Sequence, residues 1–331
     1  MKVTLHDVAA RAGLSIATVS RAVNGLPVSK DSLVRVTKAV AELGYVPNEA
    51  ARALRTDQTL TIGVIFADLR NTLGIELLDA LSESVEDAGY SLIISTARGS
   101  AERYDILMHR FLERRIDGLF CVRPPNSSES LARYAALNIP VIAMFEGGGV
   151  FAELPLVRPV FNEAATAVAD HLRRQGHARV ALVRQEGRSP AMLAIAEALR
   201  AEDMHEDIVE PSAGLSSADL ISSLMDGPGR ATAVVAADPQ ARGLLAACRA
   251  AGARVPEDVS IISVNGIAAD AYYRKHGISS VTIDPHRVGR AAGSYMLAWL
   301  AGSRPAQKIR VQTATFVARD TIRATVAPEE G

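Results

Sequence analysis

Histidine and cysteine are the residue types best suited to catalysis or metal binding, and their spacing in this 331-residue chain supports neither role. The histidines are His6, His109, His171, His177, His205, His276 and His286, and none belongs to a His-Glu-x-x-His pair. Gly-x-Ser-x-Gly and phosphate-loop patterns are absent from the sequence as well. Gly147–Gly149 is a lone glycine run and predicts a flexible loop. We therefore expect neither an enzyme nor a metal or cofactor site.

Charge and composition narrow the class of protein further. The two cysteines, Cys121 and Cys248, are too few and too distant for a disulfide framework, which fits a reducing cytoplasm. A hydrophobic content of 48% allows a large core, but there is no signal-peptide pattern and no apolar run long enough to span a membrane. The net charge of −1 is uneven: eight basic and five acidic residues give Met1–Asp57 a charge of +3, leaving −4 for the rest. A basic N-terminal segment keeps nucleic acid open as a partner.

The N-terminal segment reads as three short helices without strands. Thr4 and Asp7 have the spacing of a capping box, which predicts a helix over Leu5–Ala12. Gly13 supplies a tight turn, and Ser15 is suited to cap a second helix over Ile16–Asn24. A third helix is predicted between Ser29 and Gly44, with Leu33, Val36, Val40 and Leu43 on its core face. Together they predict one small all-α unit.

From Thr59 onward, short β-rich runs alternate with helical patterns. The predicted strands are Thr61–Phe66, Ser91–Ser95, Gly118–Val122, Pro140–Phe145, Arg179–Arg184, Ala233–Ala237 and Val259–Val264. The predicted helices are Leu73–Ala88, Ala101–Arg114, Glu163–Gln175 and Pro190–Glu202. Because the pattern restarts after Phe161, we expect two α/β lobes with doubly wound parallel sheets. Such sheets bind ligands beyond the C-terminal ends of their strands, so a cleft between the lobes is the expected ligand site.

The wording of the N-terminal segment is more specific than its helix pattern. The run TLHDVAARAGLSIATVSRAVNG, from Thr4 to Gly25, closely resembles the helix-turn-helix headpiece of the LacI/GalR family of bacterial transcription regulators. The resemblance continues through 42–48, 51–54 and 61–64 and resumes at 176–177 and 254–260. It implies a cytoplasmic, dimeric repressor that binds double-stranded operator DNA. It also implies a core like that of periplasmic sugar-binding proteins, in which a small molecule controls DNA affinity.

The resemblance also implies domain boundaries. Residues 1–57 would form the headpiece, with a hinge helix at about 48–56, and residues 58–331 would form the effector-binding and dimerisation core. The N-terminal lobe would comprise about 60–160 plus about 288–318. The C-terminal lobe would comprise about 161–287 plus the C-terminal end. The last residues show no leucine heptads, so we expect a homodimer rather than a tetramer.

If the second helix is a recognition helix, its exposed side chains should contact DNA. Arg21 can donate two hydrogen bonds to guanine, whereas Ile16 and Ala17 can offer only apolar contact. The residues suited to phosphates or helix caps are Thr4, Ser15, Thr18, Ser20 and Asn24. In the hinge, Asn48, Ala51 and Leu54 match the family pattern, which makes Leu54 the expected minor-groove wedge. Without the resemblance, a solvated surface arginine and an ordinary linker are the simpler interpretations.

The expected effector site departs from the family pattern. The candidate residues are Asp68, Asn71, Phe145, Glu146, Phe161, Arg184, Met192, Asp238 and Asn265. Phe145, Phe161 and Met192 stand where sugar-responsive members often carry polar residues, and a carboxylate such as Asp68 can equally cap a turn. Two hypotheses remain. One is an unusual effector, either less hydroxylated or more aromatic than a simple sugar, or an anion that Arg184 binds; the other is a regulator without small-molecule control. An enzyme and a solute-binding protein are the rival classes, and the headpiece argues against both.

Overall fold

The computed structural model describes residues 3–46, 53, 58–69, 72–183, 189–209, 216–225, 230–266, 270–311 and 313–322. The chain divides into two compact units, Met1–Leu60 and Thr61–Gly331. We refer to the first as the headpiece and to the second as the core.

The headpiece contains the three predicted helices: α1 (Leu5–Ala12), α2 (Ile16–Val23) and α3 (Lys30–Leu43). The ends of α1 follow the sequence signals, because Thr4 and Asp7 form both halves of a capping box and Gly13 adopts the left-handed conformation. The core of the unit consists of Val8, Ala9, Ala12, Val19, Val36 and Ala39. The prediction for Leu33 was wrong: its side chain is 48% exposed, and Ala39 faces the core instead.

The core of the chain is built on two six-stranded sheets. The first contains β1 (Thr61–Phe66), β2 (Ser91–Thr96), β3 (Gly118–Val122), β4 (Val141–Met144), β5 (Leu156–Pro159) and β11 (Lys308–Val311). Its spatial order is β11-β5-β4-β3-β1-β2, and its strands pair in parallel. The second contains β6 (Arg179–Val183), β7 (His205–Val209), β8 (Ala233–Ala237), β9 (Ser260–Gly266), β10 (Ser279–Thr282) and β12 (Thr315–Val317). Its order is β12-β10-β9-β8-β6-β7, with β12 antiparallel to β10 and the other pairings parallel.

Helices connect these strands, as expected for doubly wound sheets. They are α4 (Thr72–Glu86), α5 (Ala101–Glu113), α6 (Leu131–Ala136), α7 (Asn162–Arg174), α8 (Pro190–Ala201), α9 (Ser217–Met225), α10 (Asp238–Ala250), α11 (Ala271–Lys275) and α12 (Pro285–Leu300). A 3₁₀ turn covers Gly149–Phe151. No helix in the described part of the chain is long and apolar enough to cross a membrane.

The chain passes between the two lobes three times, near 159–162, 282–285 and 311–315. The returning helix α12 packs against α4 in the first lobe. Gly289 and Gly293 allow this contact, because a Cβ atom at Gly293 would lie 1.9 Å from Ser84 Oγ. Because β12 joins the second sheet, the returning segment of the first lobe ends near Val311 rather than near residue 318.

One cluster of buried apolar side chains runs through both lobes. It includes Ile62 and Val64 of the first sheet and Leu182 and Ile262 of the second. The lobes therefore share a continuous core at their junction.

Candidate nucleic-acid interface and inter-lobe cleft

Helix α2 buries one side and leaves the other open. Val19 is its one fully buried residue and packs in the headpiece core. Ile16, Ala17 and Arg21 are exposed, and the four-residue spacing of Ala17 and Arg21 places them on one face of the helix. Because Ile16 and Ala17 are apolar, Arg21 is the one of these three side chains that can discriminate between bases through hydrogen bonds.

The hydroxyl groups around this face cap the helices. Ser15 Oγ accepts a hydrogen bond from the Thr18 backbone at 3.1 Å and lies 2.9 Å from Thr18 Oγ1. Thr4 Oγ1 and the Thr4 backbone N–H both donate to Asp7, and these hydrogen bonds lower the pKa of the Asp7 carboxyl. Thr4, Ser15 and Thr18 therefore have structural roles in addition to any contact with phosphate.

The C-terminal end of α2 fixes two further candidates. Asn24 Nδ2 donates to the Ser20 carbonyl at 2.6 Å, so its amide holds the last turn of the helix. Arg21 reaches the loop before α3, where its Nε and Nη2 donate to the Pro27 carbonyl at 3.3 and 3.1 Å. Pro27 was not among the predicted residues, because a backbone carbonyl carries no side-chain signal. The predicted hinge residues Asn48, Ala51 and Leu54 lie outside the described residues.

The first lobe contributes the C-terminal ends of β1, β3 and β4 to the expected cleft. Asp68 follows β1 and is half-buried, and Asn71 lies outside the described residues. Phe145 follows β4 with a φ of 66°, a left-handed conformation that is strained for a bulky residue. Glu146 Oε1 lies 3.4 Å from Arg123 Nε, so this carboxylate already has a basic neighbour at the same edge of the sheet. Arg123, which follows β3, was missed by the sequence reasoning.

Three predicted effector residues are apolar and lie in the shared core. Phe161 is 6% exposed and Met192 is 3% exposed, and both belong to the cluster that runs through the two lobes. Phe145 packs against the same cluster. Phe161 and Met192 thus form part of a packed interior, and Phe145 packs against it, so these three side chains do not make a polar lining.

On the second lobe, Asp238 belongs to a network of charged and aromatic side chains. Asp238 Oδ1 accepts from Arg242 Nε at 2.9 Å and from the Tyr273 hydroxyl, and Ser263 Oγ lies 2.5 Å from that hydroxyl. Arg242 Nη2 donates to Asp270 at 2.6 Å. The Arg242 guanidinium also lies over the Tyr272 and Tyr273 rings, at 4.5 and 5.0 Å from their centroids.

The electrostatics of this network keep Asp270 and Arg242 charged and Tyr273 neutral. Burial raises the pKa of Tyr273, and its hydrogen bond to Asp238 raises it further, so the phenol stays protonated and donates. Burial opposes ionisation of Asp270, but hydrogen bonds from Arg242 and the Tyr272 backbone lower its pKa overall. Burial also opposes the charge on Arg242, yet the two carboxylates raise the pKa of that guanidinium. One carboxylate oxygen of Asp238, Oδ1, thus accepts hydrogen bonds from two side chains of its own lobe.

Two further predicted effector residues are only partly described or not described. Arg184 lies outside the described residues, and Asn265 lies on β9 with a side chain that is also outside them. The Gly147–Gly149 run is packed rather than open: a Cβ atom at Gly149 would lie 1.8 Å from the Asn126 carbonyl oxygen. Within the described part of the chain, His, Cys, Asp and Glu side chains form no group of three or more that could hold a metal ion.

Comparison with known proteins agrees with both units. Residues 4–48 match the family described as "Bacterial regulatory proteins, lacI family", and residues 169–322 match the "Periplasmic binding protein-like domain". The chain is 25% identical to the HTH-type transcriptional repressor PurR of Glaesserella parasuis, over 98% of each protein. It is 28% identical to the catabolite control protein A of Priestia megaterium, over 88% of this chain and 91% of that protein.

The fold is also that of a solved structure. The lac repressor dimer, bound to operator and the anti-inducer ONPF, superposes with a TM-score of 0.83 at 24% identity. The superposition covers 98% of this chain and 100% of that one. The helical headpiece and two parallel-sheet lobes predicted from the sequence are therefore confirmed.

Proposed function

Because the chain belongs to the LacI family of bacterial regulatory proteins, we propose that it binds a pseudo-palindromic operator as a homodimer and represses transcription there. Its relatives are transcriptional regulators, and it is a DNA-binding regulator rather than an enzyme. The cytoplasm, where the chromosome lies, is its proposed location. The single observation that carries the proposal is the exposed face of α2, with Ala17 and Arg21 opposite the buried Val19 and Ile16 exposed in the first turn.

The test is selection of binding sites by the full chain from random double-stranded DNA, followed by binding measurements on the selected site. A two-fold dimer should select two inverted half-sites. We expect Arg21→Ala to reduce discrimination at one base pair of each half-site by about 1–3 kcal/mol. Lys30→Ala, which changes one charge outside α2, should weaken all sequences similarly. If the chain enriches no sequence at any salt concentration, the proposal is wrong.

The homodimer is supported by an apolar edge on the first lobe. Strand β2 is the outer strand of its sheet, and its Ile94 side chain is 43% exposed. Ile75, on α4, is also exposed, and α4 packs beside β2. An uncovered apolar strand edge is a liability in a monomer, which a second copy would remove. Sedimentation of Ile94→Lys should show monomers at concentrations where the parent is dimeric. Leu137→Lys, a control at a more exposed leucine in the connection between β3 and β4 rather than at the β2 edge, should stay dimeric.

Control by a small molecule is the finer part of the proposal, and two candidates compete. One is an effector in the inter-lobe cleft that contacts Asp68, Glu146 or Asp238. The other is the same operator-binding regulator without small-molecule control. The burial of Phe161 and Met192 in the shared core supports the second candidate, as does the use of Asp238 by Arg242 and Tyr273. A sugar would have to separate apolar surfaces and leave its hydroxyl groups facing them, at about 1–3 kcal/mol for each unsatisfied polar group.

Thermal unfolding with a panel of sugars, nucleobases, sugar phosphates and dicarboxylates distinguishes these candidates. A specific ligand at 100 times its Kd stabilises the folded state by about 2.7 kcal/mol, which is a shift of several degrees in a domain of this size. We expect no member of the panel to shift the midpoint of the core or the affinity for the selected operator. A compound that changes both would establish effector control and exclude the second candidate.

A further inference from the structure

The Arg21 side chain makes a two-donor hydrogen bond to the backbone of the loop before α3. Both the Nε–H and one Nη2–H point at a single acceptor, the Pro27 carbonyl oxygen, at 3.3 and 3.1 Å. A guanidinium has five N–H groups in a rigid planar fork. Two donors on one carbonyl fix the plane of that fork, and three N–H groups remain for another acceptor.

The loop that provides this carbonyl is itself held in place. The Leu26 N–H donates to the Arg21 carbonyl at 2.8 Å, and the Gly25 N–H donates to the Ala22 carbonyl at 3.1 Å. Gly25 has a φ of 69°, a conformation that glycine adopts without strain. Arg21 is thus tied to the loop both through its backbone and through its side chain, and proline restricts the backbone at the contact point.

We propose that the Pro27 carbonyl is a positioning group that presents Arg21 to DNA, so that the loop between α2 and α3 sets the base specificity of the recognition helix. This inference rests on the proposed function and deepens it. The partner recognised is a guanine in the major groove, whose O6 and N7 atoms accept two parallel N–H groups. The loop contact persists in the complex, and the remaining N–H groups face the base.

The physical reason is preorganisation. An unrestrained arginine loses several rotatable bonds when it binds, whereas an arginine already fixed by the protein has lost them before binding. A guanidinium in a fixed plane also discriminates better against adenine and pyrimidines, because it cannot rotate to reach other acceptors. The loop would therefore act on specificity at one base pair and leave the phosphate contacts unchanged.

The experiment compares the parent with Pro27→Gly, which releases the backbone of the loop, and with Leu26→Ala, a neighbouring change that leaves the backbone unchanged. The base pair read by Arg21 is first identified as the one whose substitution weakens the parent but not Arg21→Ala. We expect Pro27→Gly to reduce discrimination at that base pair about tenfold and at no other, and Leu26→Ala to retain it. Unchanged discrimination in Pro27→Gly would overturn the proposal. So would tighter binding, because the carbonyl would then be a competitor that Arg21 must leave.

A second measurement does not depend on the loop variant folding. The Arg21 Nε–H resonance should be protected from solvent exchange in the free protein and should stay protected in the operator complex. Exchange of this Nε–H with solvent should become faster only if its hydrogen bond to the Pro27 carbonyl is lost. Faster exchange on DNA binding would therefore refute the inference. If the parent itself selects no DNA sequence, the proposed function fails, whereas a parent that binds with a mobile Arg21 refutes only the inference.

Discussion

Replacement of Asp238 by asparagine tests whether this carboxylate is part of the fold of the second lobe or a free ligand for an effector. It accepts hydrogen bonds from Arg242 and from the Tyr273 hydroxyl, and each bond to a charged group contributes about 1.5–3 kcal/mol. Asparagine keeps one acceptor oxygen and loses the charge, and the Asp238 side chain is 20% exposed. We therefore expect about half of the combined contribution to be lost, roughly 2 kcal/mol in the free energy of unfolding.

Calorimetry of the full chain measures this directly. A loss of about 2 kcal/mol corresponds to a decrease of about 4–8 °C in the unfolding midpoint of the core. Asp170→Asn is the matched control, because Asp170 pairs with the exposed Arg173 and Arg174 on α7 of the same lobe. Surface ion pairs contribute about 0–1 kcal/mol, so the control should change the midpoint little.

A double-mutant cycle with Arg242→Gln separates the pair from the individual side chains. Residues in one hydrogen-bonded network show coupling energies of about 0.5–3 kcal/mol, and we expect about 1–2 kcal/mol here. If Asp238→Asn leaves the unfolding midpoint of the core unchanged and the cycle shows no coupling, the network around Asp238 does not stabilise the lobe. Asp238 would then return as a candidate effector ligand.

Three further outcomes are expected. Val19→Ala should lower the free energy of unfolding of the headpiece by about 2 kcal/mol, because it removes two buried carbons and leaves a cavity. In a thermal melt, the helical signal of the headpiece should be lost about 10 °C lower, while the unfolding transition of the core should not move. The lowered pKa of Asp7 means that its capping contribution is complete above about pH 4 and is lost as the pH falls through the folded value; acid titration of the helical signal should show this transition, and its persistence in Asp7→Asn would contradict the assignment. Gly149→Ala should destabilise the core by more than about 2 kcal/mol, since its Cβ would meet a backbone oxygen, whereas Gly252→Ala, with a similar φ in open space, should cost about 1 kcal/mol in the same denaturant titration.

Local signals predicted the ends of the headpiece helices well, whereas burial on α3 depended on its neighbours. Ser15, Ser29 and Gly44 act through hydrogen bonds or dihedral angles within a few residues, so the sequence contains the information. Leu33 and Ala39 both lie at helical spacing from Val36, and the pattern favoured the larger side chain. Which of them is buried depends on where α1 and α2 pack, and that is a property of the assembled unit.

The candidate cleft also separates features that local sequence signals predict from features that depend on packing. The position of Asp238 after a strand could be predicted, because parallel strands end at one edge of a sheet. Its partners could not: Arg242 lies one helical turn away, but Tyr273 comes from the segment that follows β9, as does Asp270, the second carboxylate that pairs with Arg242. A carboxylate at a strand end looks the same in sequence whether it faces a ligand or an arginine. Likewise, the glycines at Gly147–Gly149 indicate either mobility or close packing, and only the contact with Asn126 identifies the second.

The contact between α4 and α12 has a consequence for the order in which the protein matures on the ribosome. About 200 residues separate the end of α4 from the start of α12, which is about 10–40 s of synthesis at ordinary rates. The headpiece is complete long before then, because its core uses only residues near the N-terminus. Until α12 emerges, the face of α4 around Ala80 and Ser84 has no cover, and the first lobe cannot close. A nascent chain therefore carries a finished DNA-binding unit on an unfinished core, and a truncated product that ends before Pro285 would do so permanently.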